Sequence, residues 1–253
     1  MAIAAEIRNK AADMRTPKFS MVSIIVPTLN EAEEITATLM ALLPLRSAGH
    51  EVIVTDGNST DDTAVLARPL ADTVVQCRQG RGVQMNAGAL QAGGDILLFL
   101  HADTRLPEGA MSAILDGLAR SGKSWGRFDV RLSGQHTMLR VVERMMNWRS
   151  RLTGIATGDQ AMLVRREVFQ AAGGFPEIPL MEDIALSRTL KRISGAPLCL
   201  STPVVTSSRR WEENGILHTI LLMWKLRLAF FLGASPERLA RKYTRCKVSN
   251  GHP

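Results

Sequence analysis

The triplet His101-Ala102-Asp103 closes an apolar run over residues 96–100 and sets an imidazole two positions from a carboxylate. A carboxylate–any–carboxylate triplet at such a strand end suggests a cation site, but here the first position is His. Neutral imidazole binds first-row metals and shifts the preference from Mg2+ toward Mn2+. The bland alternative for His101 is a hydrogen bond to backbone at the strand end. Two further polar clusters also follow apolar runs: "PTLNE" at residues 27–31 and "DGNS" at residues 56–59. Their acids, Glu31 and Asp56, can accept hydrogen bonds from N–H or hydroxyl donors. Asp56 ahead of Gly57 is equally a turn residue. Later in the chain Glu182 and Asp183 stand side by side where a helical pattern begins, a place the helix dipole favours for acids in any case. Arg209 and Arg210 could neutralise phosphate, and Trp211 beside them could stack on a ring or simply pack.

For these side chains to meet, the elements that carry them must end on one side. "VSIIVPT", "EVIVTD", "DTVVQC" and "ILLFLHAD" read as buried strands. Helical patterns separate them, the first with Asn30 as its cap, Glu33 closing a capping box and Pro44 as its end. Strands alternating with helices imply parallel βαβ units, right-handed crossovers and a mostly parallel, Rossmann-like sheet with helices on both faces. Ligands of such sheets gather outside the carboxyl ends of the strands, where all three polar clusters fall. After residue 105 the pattern becomes irregular. "WGRFDVRLSG" reads as a strand, "HTMLRVVERMMNWRSRL" as a basic amphipathic helix, "DQAMLVRREVFQAAGGF" as strand then helix, and "LCLSTPVVTSSRRW" as a final strand and loop. The expected organisation is an extension over 1–20, one α/β domain over 21–245 and a tail over 246–253. Within the domain, 21–104 forms a binding half, 105–211 a decorated half and 212–245 closing helices. The extension reads as a loosely docked amphipathic helix, without the apolar core of a secretion signal.

Composition narrows the partners. The chain has 253 residues, 45% of them hydrophobic, which suits one packed domain. A net charge of +7 suits phosphate-bearing ligands, nucleic acid or an anionic membrane surface. Aromatic residues make up only 5%, too few for a base-stacking platform, so nucleic acid is the least suited of these. The three cysteines, Cys77, Cys199 and Cys246, are odd in number and far apart. They point to a reducing, cytoplasmic compartment rather than a disulfide framework or a zinc knuckle. The run "QGRGVQMNAG" places Arg81 near a helix start, where it is either a diphosphate contact or a solvated surface residue. A dinucleotide fingerprint would need a third Gly where Met85 stands.

"SIIVPTLNE", "VIVTDGNSTDDT", "GDILLFLHADT", "GGF" followed by "MED", and "SSRRW" come in an order that resembles family-2 glycosyltransferases of the GT-A fold. The resemblance spans roughly residues 20–245 and is strongest with a small bacterial subgroup in which "HADT" replaces the usual acidic triplet. It implies inverting transfer of a sugar from a UDP- or GDP-linked donor to a hydroxyl. Pro27, Thr28, Asn30, Glu31, Asp56, Asn58 and Arg81 would contact the nucleotide, and Thr55 stands where the family often has another acid. Asp103, with His101, would hold a divalent cation, Mn2+ favoured over Mg2+, that neutralises the leaving diphosphate. Asp183 would take the proton of the acceptor hydroxyl, with Glu182 beside it but on another face of its helix. Arg209, Arg210 and Trp211 would serve donor and acceptor, although Ser207 replaces the Gln of processive synthases. A sugar-phosphate nucleotidyltransferase would want a Gly-rich basic loop straight after the first strand, and a non-catalytic nucleotide-sugar-binding protein would need no base. "ILHTILLMWKLRLAFFLG", interrupted by Lys225 and Arg227, is too short and charged to span a bilayer. It reads either as an interfacial helix that brings the enzyme to a lipid-linked acceptor, or as a helix packed on its own domain or a second subunit. The acceptor and the oligomeric state are not legible.

Overall fold

The computed structural model describes residues 21–248. The expected amphipathic extension over 1–20 and residues 249–253 of the expected tail lie outside the described residues. Four strands carry the binding half: β1 (Val22–Thr28), β2 (Glu51–Asp56), β3 (Thr73–Gln76) and β4 (Ile96–Phe99). They pair in parallel in the order β3-β2-β1-β4, with Pro27 level with Thr55 and Thr28 level with Asp56. Unbroken apolar strands need cover on both faces. The crossovers α1 (Ala32–Ser47), α2 (Thr63–Ala67) and α3 (Arg81–Gln91) begin to supply it.

The second half continues the same sheet. β5 (Thr104–Arg105) is followed by α4 (Ala110–Ser121), β6 (Trp125–Leu132), α5 (Thr137–Thr153) and β7 (Met162–Arg165). Then come α6 (Arg166–Ala171), α7 (Glu182–Ser194), β8 (Leu198–Thr206), α8 (Arg209–Glu213), α9 (Ile216–Phe231) and α10 (Pro236–Val248). Among the described residues the sheet has eight strands in the order β3-β2-β1-β4-β7-β6-β8-β5. β7 runs antiparallel to β4 and β6, β5 antiparallel to β8, and the remaining neighbours are parallel.

Strand alternation divides the core. Ile24, Val26, Val54 and Leu98 face Leu39 of α1, Ile114 of α4 and Leu139 of α5 on one side. On the other, Ile25, Ile53, Leu97 and Phe99 face Met85 of α3, Phe169 of α6 and Leu190 of α7. α3 lies close on the sheet because it carries Gly88 there: an added Cβ would stand 2.5 Å from the Ile25 side chain. A third cluster joins Leu226 of α9 and Leu239 of α10 to Ile155, Met181 and Ile184.

Three local expectations are corrected. Asn30 does not cap α1: the cap position is Glu31, with no side-chain cap bond. Ser59 Oγ, Thr63 Oγ1 and Asp61 Oδ2 of the neighbouring loop instead accept from the amides of Asn30, Glu31 and Ala32. Pro44 lies inside α1 rather than ending it. Met40, whose carbonyl loses its partner to the missing N–H, is solvent-exposed, so water can serve it. The segment that reads as a loop after β8 is helical in α8, with Arg209, Arg210 and Trp211 on it.

Candidate active site

The ends of β1 and β2 are clamped by one buried side chain of α3. Gln84 Nε2 donates to Thr28 O at 2.6 Å and to Thr55 O at 3.0 Å. Beside it, Asp56 is fully buried, and both its oxygens accept from Ser59, from the amide at 3.0 Å and the hydroxyl at 2.5 Å. Asn30 Oδ1 accepts from the Thr60 amide at 2.8 Å. The side chains of Asp56 and Asn30 therefore build the loops, and the turn role open to Asp56 in the sequence is the one it fills. Asn30 and Asn58 both hold left-handed backbone, at φ 53° and 63°, which Asn tolerates better than most residues. What the loops leave toward solvent is Asn58, half-buried Pro27 and Glu31, and Arg81 at the rim where α3 begins. The hydroxyls of Thr28 and Thr55 are buried with no hydrogen-bond partner among the described residues.

At the end of β4 the two members of "HAD" part company. The hydroxyls of Thr104 and Thr206 donate to Asp103 Oδ1 at 3.3 and 3.4 Å, and no donor among the described residues meets Oδ2. Burial, and then the negative charge of Asp103, push the Glu31 carboxyl above the usual range. Two acids thus confront each other across the mouth of β1 and β4, an arrangement a cation would relieve. His101 is turned elsewhere. Its Nδ1 lies 3.6 Å from Asp159 Oδ1, and its ring is packed so closely on Gly158 that a Cβ there would stand 2.5 Å from Nε2. Burial, and then Arg81, push the imidazole below its ordinary value, so it is neutral at pH 7. No three His, Cys, Asp or Glu side chains among the described residues converge to hold a metal. The donor set fits a cation bound through Asp103 and ligand oxygens, and does not fit a cation caged by protein alone.

The acid pair opens α7, after Met181 in a left-handed conformation (φ 71°). Asp183 is held from two sides: Gly158 N–H donates to Oδ2 at 2.9 Å and Ile184 N–H to Oδ1 at 2.7 Å. Glu182 is only 5% exposed. Burial, and then the adjacent Asp183, push its carboxyl up from 4.5 to about 7. Both acids line one pocket of about 270 Å³ with His101, Gly158 and Phe99. The expectation that Glu182 looks away from the face of Asp183 is therefore corrected. At the first turn of a helix no preceding turn separates neighbouring side chains, and both reach past the helix end.

Sequence reading missed Asp159. It sits on a single 3-10 turn (Gly158–Gln160) closed by a reciprocal Thr157–Gln160 capping box. The available signal was the polar "TGDQ" directly before an apolar strand, where the strand itself was expected to begin at Asp159. Burial would raise its carboxyl, but His101, Arg210, Arg81 and Arg227 prevail and hold it below the usual range. Arg81 answers to Glu182, Asp159 and Asp183, which links the start of α3 to the acid pair. Arg209 acts on Glu31, while Arg210 stacks on the Tyr243 ring at 5.3 Å. Trp211 packs against the main core, the simpler of its two readings.

The raised carboxyl of Glu182 has a measurable consequence. Between 4.5 and about 7 the folded protein keeps a proton that the unfolded chain has released. Unfolding free energy therefore falls as pH rises through that window. Glu182→Gln removes the dependence. Its stability relative to wild type is expected to be greater at about pH 8 than at about pH 5, by on the order of 2–3 kcal/mol. Denaturant unfolding at the two pH values checks this, and a pH-independent difference would contradict it.

The sequence model described as Glycosyl transferase family 2 matches residues 23–172. An uncharacterised glycosyltransferase of Mycobacterium tuberculosis is 35% identical over 133 residues, 51% of this chain and 59% of that protein. The chain thus spans little more than half the length of that curated relative. Staphylococcus aureus TarS 1-349 in complex with UDP-GlcNAc aligns with a TM-score of 0.58 at 19% identity, over 74% of this chain and 58% of that one. The mannosyltransferase PcManGT from Pyrobaculum calidifontis, in complex with GDP-Man and Mn2+, aligns with a TM-score of 0.58 at 20% identity, over 98% of this chain and 78% of that one. At such identities the two structures speak for the fold, a mostly parallel α/β sheet of the GT-A kind. The matched family spans β1 through α6 and so contains the strand ends and Asp103: the chain belongs to glycosyl transferase family 2.

Proposed function

We propose that the protein transfers a sugar, with inversion, from a UDP- or GDP-linked donor to an acceptor hydroxyl, as a member of the subgroup carrying "HADT" at residues 101–104. The observation that carries this reading is Asp183, fixed by two amides in the pocket that His101 shares at the end of β4. A carboxylate so held can accept the acceptor's proton as the new bond forms. Inversion needs only this one base on the face opposite the departing diphosphate. The donors bound by the TarS and PcManGT structures support the donor class.

On the donor side Glu31, Asn58 and Pro27 face the nucleotide, and Arg81 and Arg209 approach its phosphates. A divalent cation held by Asp103 would supply Lewis-acid neutralisation of the leaving diphosphate. The Mn2+ of the PcManGT complex supports such a cation. His101 stays neutral against Asp159 and Gly158 and positions the turn that anchors Asp183. Proton NMR of the sugar released from an α-linked donor reads turnover and inversion together.

The acceptor comes from a membrane surface in this reading. No helix among the described residues is long and apolar enough to cross a membrane. α9 nonetheless exposes Leu217, Leu221, Trp224, Leu228 and Phe231, spaced by alternating fours and threes along one face. Exposed Lys225 and the +7 net charge favour an anionic surface on the cytoplasmic side. The protein is expected to float with anionic vesicles and not with neutral ones. Flotation that Leu221→Glu and Leu228→Glu together leave unchanged would remove α9 as the contact.

A further inference from the structure

Two arginines near the acid pair take no part in the chemistry so far. Arg149 comes from the last turns of α5 and Arg227 from the middle of α9. Arg149 Nε and Nη2 and Arg227 Nε are buried with no hydrogen-bond partner among the described residues. Their neighbours are not left in this state. Arg127 bonds Ser150 Oγ at 3.0 Å, Asn147 O at 3.2 Å and the carboxylate of Asp129. Arg151 holds both oxygens of Asp129, at 2.8 and 2.7 Å. Asp129 is thereby shared by two guanidinium groups, and Asp183 accepts from two amides and from neither Arg149 nor Arg227. A buried guanidinium nitrogen without an acceptor costs free energy that a bound anion returns.

The placement of the pair is specific. Leu226, next to Arg227, packs with Ile155, Met181 and Ile184, which brings α9 against the start of α7. The carboxylates that act on both arginines are Asp183 and Asp159. Arg227 therefore stands beside the start of α7, which carries Asp183. Burial, and then the like charge of Arg227, push the Arg149 guanidinium down to about 10.

Resting on the glycosyltransferase reading of this site, we propose that Arg149 and Arg227 form an anion subsite for the acceptor, which carries a phosphate beside the hydroxyl that Asp183 deprotonates. A phosphate offers enough acceptor oxygens to serve both planar guanidinium groups at once. The same chemistry is offered by a soluble phosphomonoester and by a phosphate at a lipid headgroup.

The test uses the full chain with its nucleotide site first saturated by nucleoside diphosphate and Mn2+. It is titrated with inorganic phosphate in one arm, and with phosphatidic acid in phosphatidylcholine vesicles in the other. Wild type is expected to bind in at least one arm. Arg149→Gln and Arg227→Gln should each weaken that binding at least about tenfold, while nucleotide affinity and melting temperature hold. Arg149→Lys and Arg227→Lys keep a charge and most of the packing, and should lose less. Vesicle binding that the Gln variants weaken identifies a lipid source, and weakening confined to inorganic phosphate a soluble one. Absence of phosphate binding in wild type, or binding that survives both Gln variants, overturns the subsite. Should a Gln variant not fold, the Lys variant decides: undiminished phosphate binding there likewise overturns it. Arginine-dependent phosphate binding with no turnover of any nucleotide sugar would instead keep the anion subsite and sink the transferase reading.

Discussion

Replacing Asp183 with Asn is expected to lower sugar transfer at least about a hundredfold while leaving nucleoside diphosphate affinity nearly unchanged. A hydroxyl is a weak nucleophile at neutral pH unless its proton leaves as the bond to the anomeric carbon forms. A positioned carboxylate contributes roughly 10²–10⁴-fold by taking it. Gly158 N–H and Ile184 N–H fix both oxygens of Asp183, and a side-chain amide of nearly the same size keeps the shape of the site. Asn loses the basicity and can accept from only one of the two amides, but other residues build the nucleotide loops, so the rate should fall and nucleotide binding should not. Glu182 is the obvious competitor, since it lines the same pocket and its carboxyl rises to about 7. It is also buried, whereas Asp183 keeps solvent access to meet an acceptor. Glu182→Gln is therefore expected to cost less than Asp183→Asn. The reverse order would move the base to Glu182, and equal loss of nucleotide binding would make Asp183 a structural anchor.

Asp103→Ala is expected to abolish the difference between nucleoside diphosphate affinity in Mn2+ and in EDTA. Wild type should bind at least about tenfold more tightly with the metal, since a bound cation stabilises several kcal/mol of phosphate charge. Among the described residues no hydrogen-bond donor meets one oxygen of Asp103, and its charge already raises the Glu31 carboxyl. His101→Ala should leave the metal dependence in place, because its ring is packed on Gly158 and turned to Asp159. Titration calorimetry of the two variants separates the members of "HAD". Equal affinity with and without Mn2+ in wild type would remove the cation from the donor site.

The parts of this site legible in the sequence were those carried by regular elements. Apolar runs gave the four parallel strands, and their ends placed Glu31, Asp56 and Asp103 on one side of the sheet. Two facing core clusters then matched the expected cover of helices. What stayed hidden depended on partners remote in sequence. Asp56 could not be assigned to its own turn without Ser59, nor α1 to its caps without the hydroxyls of the next loop. Asp159 was hidden because a single 3-10 turn leaves no periodic signal, and it matters only through His101 and three arginine neighbours brought by folding. Arg149 was one cation among several in a basic amphipathic pattern, and Arg227 a charge interrupting an apolar one. Folding takes nitrogens of both out of water, and for Arg227 the packing of α9 on the start of α7 accompanies it. The same crowding at a helix end brought Glu182 into the pocket of Asp183.

The central claim, inverting transfer at this crevice, is tested most directly by following the anomeric protons during turnover of α-linked UDP- and GDP-sugars with Mn2+. Water serves as a slow acceptor where the natural one is absent, so release of sugar is expected for one donor class. The first-formed sugar should be the β anomer, before mutarotation, and Asp183→Asn should suppress its formation. A first-formed α anomer would contradict inversion by a single base. Tight donor binding with no release of sugar would make the protein a carrier of nucleotide sugars rather than a transferase.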